Sequence, residues 1–331
     1  MNALLIGAGS VAQGILSCLQ KAQFGRPAIV ARGRALESLR SGLKRTGLFG
    51  DHYSPPESFD ICETIDQASD KIGAILVCSK AFDTDDIVDQ ILASKFGSTD
   101  IPLILCQNGW GSADAVAAKL DTKRIFNARI ITGFCRPNTN TVAITVHADD
   151  IRIGNIFHPE EHSRFDELAD AISRGGIKTS TSAELVEFLW SKMLYNCALN
   201  PLGAVLKATY GELASSSDTR WIMNQVIDEV FLVMQECGFR THFTSADDYK
   251  ASFYDKMVPL TASHRSSMLQ DITSGKRTEI DFLSGRIVTL GAQRGIQTPA
   301  NLFLTRSVKF LESLPCSLDV TLSEPATLVA K

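Results

Sequence analysis

The sequence lacks several features that mark specialised classes of protein. Its eight cysteines stand singly, none in a C-x-x-C pair and most in apolar runs, so we expect reduced, buried thiols, no disulfides and no metal site. The formal net charge is only −4 without a long run of like charge, which argues against nucleic acid or an anionic membrane as a partner. No apolar run reaches membrane-spanning length, and no basic segment precedes the first apolar run. We therefore expect a cytoplasmic protein with no membrane segment and no signal peptide.

Length and composition indicate a globular protein of two domains. The 331 residues are 44% apolar and 21% charged, with no internal repeat and no low-complexity linker. Strand-like runs alternate with helical ones in the first half, and from residue 182 onward the pattern is mostly helical. We predict a first domain over residues 1–180 and a helical second domain over residues 181–314. Residues 315–331 show no helical periodicity, and we expect them to be a mobile tail.

A glycine-rich turn stands at the start of the chain. A short apolar run ends at Ile6, the turn G-A-G-S-V-A follows, and helical spacing begins at Ile15. Such a strand, turn and helix can hold a dinucleotide, because the glycines allow the turn and the approach of a pyrophosphate to the helix N-terminus. The alternative is an ordinary strand-to-helix turn. The predicted cofactor-binding residues of this turn are Gly7, Ala8, Gly9, Ser10, Val11 and Ala12.

Two arginines follow the second predicted strand, residues 28–31. A site for NAD normally has an acid near this strand end, whereas this chain has Arg32 and Arg34. The forked guanidinium of Arg32 suits a 2′-phosphate, so the sequence favours NADPH over NADH. Two solvated surface arginines are the alternative.

Polar residues also follow two later apolar runs. Lys80 comes after residues 74–78, and Asn108 comes after residues 102–106. Ligands of open parallel sheets bind beyond the carboxyl ends of the strands, so we place these two side chains where nicotinamide and substrate would meet. Either residue could instead belong to an ordinary loop.

The rest of the first domain is predicted from apolar runs alone. Residues 125–132, 141–147 and 151–153 are expected to complete the sheet, and residues 160–174 to form a helix across one face.

A helix in the second half carries three polar residues on one flank. Lys192, Asn196 and Asn200 are spaced four apart, which places them within about 80° of one another on a helix. Their neighbours in the sequence are apolar, so a polar ligand or a polar neighbour must meet these side chains. We expect the helix to kink or restart at Pro201.

A second polar cluster follows. Ser267 and Asp271 lie one turn apart on a predicted helix. We expect Gly275 to end this helix, so that the side chain of Glu279 points in a direction that the helix does not set. Taken singly, Ser267 could be a helix cap and Glu279 half of a surface ion pair.

Five motifs together resemble one known family. They read G-A-G-S-V-A at 7–12, S-K at 79–80, Q-N-G at 107–109, W-S-K-M-L-Y-N-C-A-L-N-P-L at 190–202, and S-S-M-L-Q-D-I-T-S-G-K-R-T-E-I-D at 266–281. In this order they resemble the ketopantoate reductase family (2-dehydropantoate 2-reductase), and the resemblance extends from residue 7 to about residue 312. It implies an α/β fold with an N-terminal Rossmann-type dinucleotide-binding domain and an all-α C-terminal domain, and an active site in the cleft between them.

The resemblance also implies residue roles. Lys192 matches the catalytic lysine, and a positioned ammonium can both stabilise and protonate the oxygen of a ketone that accepts a hydride. Glu279 matches the second catalytic residue, and we expect its carboxylate to hold Lys192 charged. Of the remaining matches, Asn196, Asn200 and Ser267 would bind the substrate. Asn108 would lie at the junction of nicotinamide and substrate, and Asp271 would be a structural acid. Lys80 and Arg32 would bind phosphates of the cofactor.

One position departs from the family pattern. Three residues before the matched serine, where the family often has asparagine, this chain has His264, near the expected substrate carboxylate. A histidine there can donate a hydrogen bond but differs in size and charge.

The expected activity is the NADPH-dependent reduction of 2-dehydropantoate to (R)-pantoate, a step of pantothenate and coenzyme A biosynthesis. Reduction of another small 2-keto acid is the alternative within the same fold, and a non-catalytic NADPH-binding sensor is the alternative outside enzymes. The oligomeric state stays open, with a homodimer as one option.

Overall fold

Twelve strands and thirteen α-helices make up the part of the chain that the structure describes. The computed structural model describes residues 1–314, so the expected mobile tail lies outside the described residues. The strands are β1 (Asn2–Ile6), β2 (Ala28–Val30), β3 (Leu43–Gly47), β4 (His52–Ser54), β5 (Asp60–Cys62), β6 (Ile72–Val77), β7 (Leu103–Leu105), β8 (Ile125–Arg129), β9 (Thr132–Asn138), β10 (Thr141–His147), β11 (Ile151–Gly154) and β12 (Thr179–Thr181).

The helices are short in the first half and long in the second. They are α1 (Ser10–Lys21), α2 (Gly33–Leu39), α3 (Thr84–Ala93), α4 (Ser112–Ala117), α5 (Asp166–Arg174), α6 (Leu185–Leu206), α7 (Tyr210–Ser215), α8 (Ser217–Glu236), α9 (Ala246–Ser252), α10 (Val258–Leu260), α11 (Ser267–Thr273), α12 (Ser284–Gln293) and α13 (Pro299–Ser313). No helix among residues 1–314 is long and apolar enough to cross a membrane.

An eight-stranded, mostly parallel sheet forms the centre of the N-terminal half. Its strand order is β12-β11-β8-β7-β6-β1-β2-β5, and only β11 runs antiparallel to its neighbour β8. The apolar residues of β1 and β6 are buried because helices cover both faces of the sheet. In the sheet, β1 lies between β2, which follows it in the sequence, and β6, which the chain reaches later, so the connections leave β1 in opposite directions. The carboxyl end of β1 is therefore the point where ligands bind in open sheets of this kind. The predicted α/β class is confirmed.

A separate four-stranded sheet corrects one prediction. Residues 141–147 were expected in the main sheet, but β10 pairs with β9 and β3 in the order β4-β3-β10-β9. Val142 and Ile144 of β10 are buried in the same core as α1, and Gly14 of α1 leaves room for the ring of Phe134 on β9. A strand with one covered face suits a small sheet that packs on a helix, and the apolar run alone does not show which sheet it joins.

The predicted helix over residues 160–174 is only partly an α-helix. Residues Pro159–Phe165 form a 3₁₀ segment, and the α-helix begins at Asp166.

The long helix α6 is the centre of the C-terminal half. It packs against α8, α11 and α13, and it is apolar around most of its circumference. It runs through Pro201 to Leu206, so the helix does not restart there, and the expected kink stays a prediction. Cys197, Leu199 and Leu202 are buried around this turn. The free energy gained from packing the surrounding apolar side chains offsets the loss of the backbone hydrogen bond that proline cannot make.

Trp110 ties the two halves of the chain together. It follows β7 of the main sheet, yet its indole packs in the core of the helical half, with ring centroids 5.0 Å from Trp190 and 4.9 Å from Phe239. Its backbone N–H also donates to the carbonyl of Phe282 at 2.9 Å. The main sheet ends at Thr181 and α6 begins at Leu185, while the division into domains at residue 180 stays a prediction.

We expect Trp110→Ala to destabilise the protein by about 3–5 kcal/mol, because truncation of a buried aromatic side chain loses its burial and leaves a cavity. Trp221, which is 65% exposed on α8, provides the matched control, and Trp221→Ala should change the free energy of unfolding by less than about 0.5 kcal/mol. Urea unfolding followed by circular dichroism measures both values. Equal effects of the two substitutions would contradict the role assigned to Trp110.

Candidate active site

A cleft of about 430 Å³ opens at the carboxyl end of β1, β6 and β7, opposite α6. It brings together most of the predicted site residues from both halves of the chain. Those that line it are Gly7, Ala8, Gly9, Ser10, Val11, Lys80, Asn108, Lys192, Asn196, Asn200, His264, Ser267 and Glu279.

The turn after β1 has the form that a phosphate requires. Gly7 has a φ of +99°, which only glycine adopts readily, and a Cβ at this position would lie 3.2 Å from the backbone nitrogen of Ser79. A Cβ at Gly9 would meet one atom within 4 Å, the Cys78 carbonyl oxygen at 3.9 Å, so this position is open to a ligand. No side chain caps the N-terminus of α1, and its first turn holds no acid. The free amides therefore fit the pyrophosphate of a dinucleotide.

Ala12 differs from the other predicted residues of the turn. Its side chain is fully buried and does not line the cleft, unlike the other predicted residues of the turn. A small residue there allows α1 to approach the sheet closely.

Arg32 lies in a second cleft of about 500 Å³ that begins at the same turn. The two clefts share Gly7, Ala8 and Gly9, so one elongated molecule could reach from the first to the second. Arg32 is exposed at the end of β2, and its Nη2 donates to Oε1 of Gln90 at 2.9 Å.

Asn108 stands between Lys192 and Glu279. The Nζ of Lys192 donates to Oδ1 of Asn108 at 2.8 Å, and the Nδ2 of Asn108 donates to Oε2 of Glu279 at 3.1 Å. The other carboxylate oxygen of Glu279 accepts from the backbone N–H of Ala81 at 3.1 Å. Asn108 therefore connects Glu279 to Lys192 by hydrogen bonds, and no direct ion pair joins the two charged groups.

The electrostatics of Lys192 differ from the prediction. Burial, the largest cause, and the positive charge of Arg129 lower the pKa of Lys192, and Glu279 raises it, so that the pKa is about 7. A carboxylate was expected to hold this lysine fully charged. Desolvation prevails because the nearest polar partner is a neutral amide.

Lys80 also has different neighbours from those expected. Its ammonium lies 2.5 Å from Oδ2 of Asp271 and 3.5 Å from Oε2 of Glu279, while the side chain still lines the cleft. Burial lowers the pKa of Lys80, but the two carboxylates outweigh burial and leave the pKa above its ordinary value. This cluster joins the loop after β6 to α11, which agrees with the structural role expected for Asp271.

The far end of the cleft holds polar side chains with few protein partners. Asn196 is only 7% exposed, yet no described residue bonds its amide, and the same holds for the hydroxyl of Ser267. Ser266 caps α11 by accepting from the backbone N–H of Leu269 at 3.0 Å, so Ser267 is free of the capping role. Both groups line the cleft, so they are available to hydrogen-bond a polar ligand there.

Asn200 is partly engaged. Its Oδ1 accepts from the hydroxyl of Tyr210 at 2.5 Å, and no described residue accepts from its Nδ2. The expectation that Asn196 and Asn200 face one place is met by their shared cleft.

An aromatic wall stands beside these amides, and the sequence indicated only its histidine. It consists of Tyr195, Tyr210 and His264, with the rings of Tyr210 and His264 5.2 Å apart. The hydroxyl of Tyr195 lies 2.5 Å from that of Thr261, which also lines the cleft. Burial lowers the pKa of His264, which favours a neutral imidazole. Tyr195 could have been found, because it stands three residues after Lys192 on the same helix flank. Tyr210 and Thr261 reach the cleft only through tertiary packing.

The arrangement suits stabilisation of negative charge that develops on an oxygen atom. The ammonium of Lys192 and the amide of Asn108 lie partly buried in the same cleft as the glycine turn, and electrostatic interactions are strong in such a site. Among residues 1–314, no group of three or more His, Cys, Asp or Glu side chains is placed to hold a metal ion.

Family models match both halves of the chain. The model described as ketopantoate reductase PanE/ApbA matches residues 3–156, and the model of its C-terminal part matches residues 184–312. The chain is 32% identical over 312 residues to a 2-dehydropantoate 2-reductase of Aquifex aeolicus, which covers 94% of this chain and 97% of the relative. A 2-dehydropantoate 2-reductase of Archaeoglobus fulgidus is 26% identical over 93% of this chain and 97% of its own length.

Solved structures share the fold. A 2-dehydropantoate 2-reductase from Geobacter metallireducens superposes with a TM-score of 0.82 at 22% identity, covering 94% of this chain and 99% of that chain. D-mandelate dehydrogenase in a ternary complex with NADH and anilino(oxo)acetate superposes with a TM-score of 0.81 at 18% identity, covering 94% and 98%. Together with the family models and the relative from Aquifex aeolicus, these matches confirm the resemblance seen in the motifs, and the chain belongs to the ketopantoate reductase family of dinucleotide-dependent oxidoreductases.

Proposed function

We propose that this protein reduces 2-dehydropantoate to (R)-pantoate with NADPH, a step of pantothenate and coenzyme A biosynthesis. The observation that carries the proposal is the pair of Lys192 and Asn108, held 2.8 Å apart in a cleft between the nucleotide-binding turn and the unpartnered amide of Asn196. The curated relatives named 2-dehydropantoate 2-reductase support the substrate. In this proposal residues 1–180 bind the dinucleotide and residues 181–314 bind the keto acid.

The residues of the turn would hold the dinucleotide, which supplies a hydride when bound. Lys192 stabilises the ketone oxygen as negative charge develops there, then donates the proton that makes the alcohol, and is reprotonated from water. Asn108 fixes the ammonium by accepting its hydrogen bond and donates in turn to Glu279, whose charge raises the pKa of Lys192. A pKa of about 7 places Lys192 in the range where proton donation near neutral pH is efficient.

The far end of the cleft would recognise the substrate. Asn196 and Asn200 can bind its hydroxyl or carbonyl, and Ser267 can donate to its carboxylate. His264 occupies the wall beside them, where a neutral imidazole offers one donor and one acceptor. These groups would discriminate among small 2-keto acids.

The direct test of the proposal is turnover. Purified protein should consume 2-dehydropantoate with NADPH, measured by the loss of NADPH absorbance, faster than it consumes other branched 2-keto acids. Preference for a different keto acid would reassign the substrate within the reaction class. Binding of NADPH without turnover of any keto acid would instead identify a sensor and contradict the proposal.

Removal of the proposed acid gives the first prediction. Lys192→Ala should lower kcat by about 10²–10⁴-fold, the usual contribution of a general acid. Lys256→Ala removes an exposed lysine from the same half of the chain and should leave kcat unchanged. Near-normal kcat for Lys192→Ala in steady-state assays would exclude the catalytic role.

The pKa of Lys192 predicts the pH dependence. The charged form is the proton donor, so kcat/KM for reduction should decline above about pH 7, approaching about tenfold per pH unit. Because Glu279 raises this pKa, Glu279→Gln should move the decline to lower pH. Asp281→Asn, which removes a half-exposed acid paired with Lys309, should leave the profile in place. A wild-type profile that stays flat or rises above pH 7 would contradict the proton-donor role.

The preference for NADPH is assigned to Arg32. Arg32→Ala should raise KM for NADPH by a larger factor than KM for NADH, because only NADPH carries the 2′-phosphate. Arg34 is exposed two residues away and does not line the second cleft, so Arg34→Ala should change neither value. Equal effects of Arg32→Ala on the two cofactors would argue against 2′-phosphate recognition.

A further inference from the structure

The four-stranded sheet places an arginine at the nucleotide-binding turn. Arg136 lies on β9, and its Nη1 donates to the carbonyl oxygen of Ala8 at 2.8 Å. Arg136 also lines the second cleft, together with Arg32 and the glycines of the turn. Neither the sequence motifs nor the proposed reaction uses this residue.

A second contact fixes the distance between the sheet and the turn. The Nε2 of Gln13 donates both to the carbonyl of Ala8 at 3.1 Å and to the carbonyl of Thr139 at 2.7 Å. Thr139 lies in the connection between β9 and β10, so this one side chain joins the hairpin to the turn. The hairpin is thereby held where Arg136 reaches Ala8.

The other cationic side chains that line the two clefts are bonded to other residues. Lys80 is paired with Asp271 and Glu279, and Lys192 is bonded to Asn108. Arg32 lies at the end of β2 beside Gln90. Among the described lining residues, Arg136 is therefore the cation in contact with the turn itself.

The chemistry of Arg136 suits a pyrophosphate. No described carboxylate lies within ion-pair distance of its guanidinium, although Asp83 and Asp86 line the same cleft. One of its five N–H donors is used on Ala8, and the forked geometry of the rest matches phosphate oxygens. The turn and the first amides of α1 supply neutral donors, and Arg136 adds a full positive charge in contact with the turn.

We propose that Arg136 binds the pyrophosphate of the dinucleotide, so that the four-stranded sheet forms part of the cofactor site. This inference rests on the proposed use of a dinucleotide. It assigns to Arg136 the phosphate contact that the sequence placed on Lys80, and it leaves the 2′-phosphate to Arg32.

Binding measurements test the assignment without turnover. Isothermal titration calorimetry with NADPH, NADH and ADP-ribose should show binding weakened roughly 10- to 100-fold in Arg136→Gln, because charge-assisted hydrogen bonds to the phosphates are lost. The factor should be similar for all three ligands, since each contains the pyrophosphate. Lys44→Gln removes an exposed cation from β3 of the same sheet, away from both clefts, and should bind all three like the wild type.

Other results would overturn the inference in distinguishable ways. Unchanged affinities in Arg136→Gln would exclude the contact, and weakening confined to NADPH would assign Arg136 to the 2′-phosphate instead. A wild type that binds none of the ligands would overturn the proposed function as well. Arg136→Lys, which keeps the charge but loses the fork, should show a smaller loss, and it serves as the test if Arg136→Gln lowers the melting temperature.

Discussion

A chain of alternating charges and one amide holds the sheet against the helices at the cleft. It runs from Lys192 through Asn108 to Glu279, and from Glu279 through Lys80 to Asp271. Each charge is at least partly buried, so each needs its partner to offset the loss of water. Members from the sheet alternate with members from the helices, which means that neither half of the chain completes the network alone. The relative position of the two halves and the protonation of Lys192 therefore depend on the same set of contacts.

The features that the sequence predicted correctly are local ones. The glycine turn depends on backbone conformation at Gly7 and on its place between a strand and a helix, both visible within a dozen residues. The shared flank of Lys192 and Asn196 follows from helical periodicity, which packing then preserves. Such features need no knowledge of which distant segment lies opposite.

The features that were missed depend on distant partners. The ammonium of Lys80 meets Asp271, which is 191 positions away in the sequence, and nothing near Lys80 indicates this pairing. Residues 141–147 read as a strand, but membership of the second sheet is decided by β3 and β9. Pro201 breaks an isolated helix, yet the buried environment of α6 overrides that local preference.

The shared fold leaves the choice of substrate to side chains. Solved structures with almost the same fold carry the names 2-dehydropantoate 2-reductase and D-mandelate dehydrogenase. A fold does not imply one substrate, because function lies in the groups that line the site. In this chain those groups include Tyr195, Tyr210 and His264, which narrow the cleft beside the unpartnered amides. A small branched acid and an aromatic acid would contact this wall differently.

The burial of Trp110 bears on how the active site is assembled. This indole lies in the helical core two residues after Asn108, and the backbone N–H of Trp110 is bonded to Phe282, so the sheet and the helices are joined beside Asn108. The hydrogen bond between Asn108 and Lys192 lies beside this junction, so it bridges the two halves where they are already joined. In the proposed reaction the proton donor is therefore positioned before the substrate arrives, and substrate binding does not have to order it.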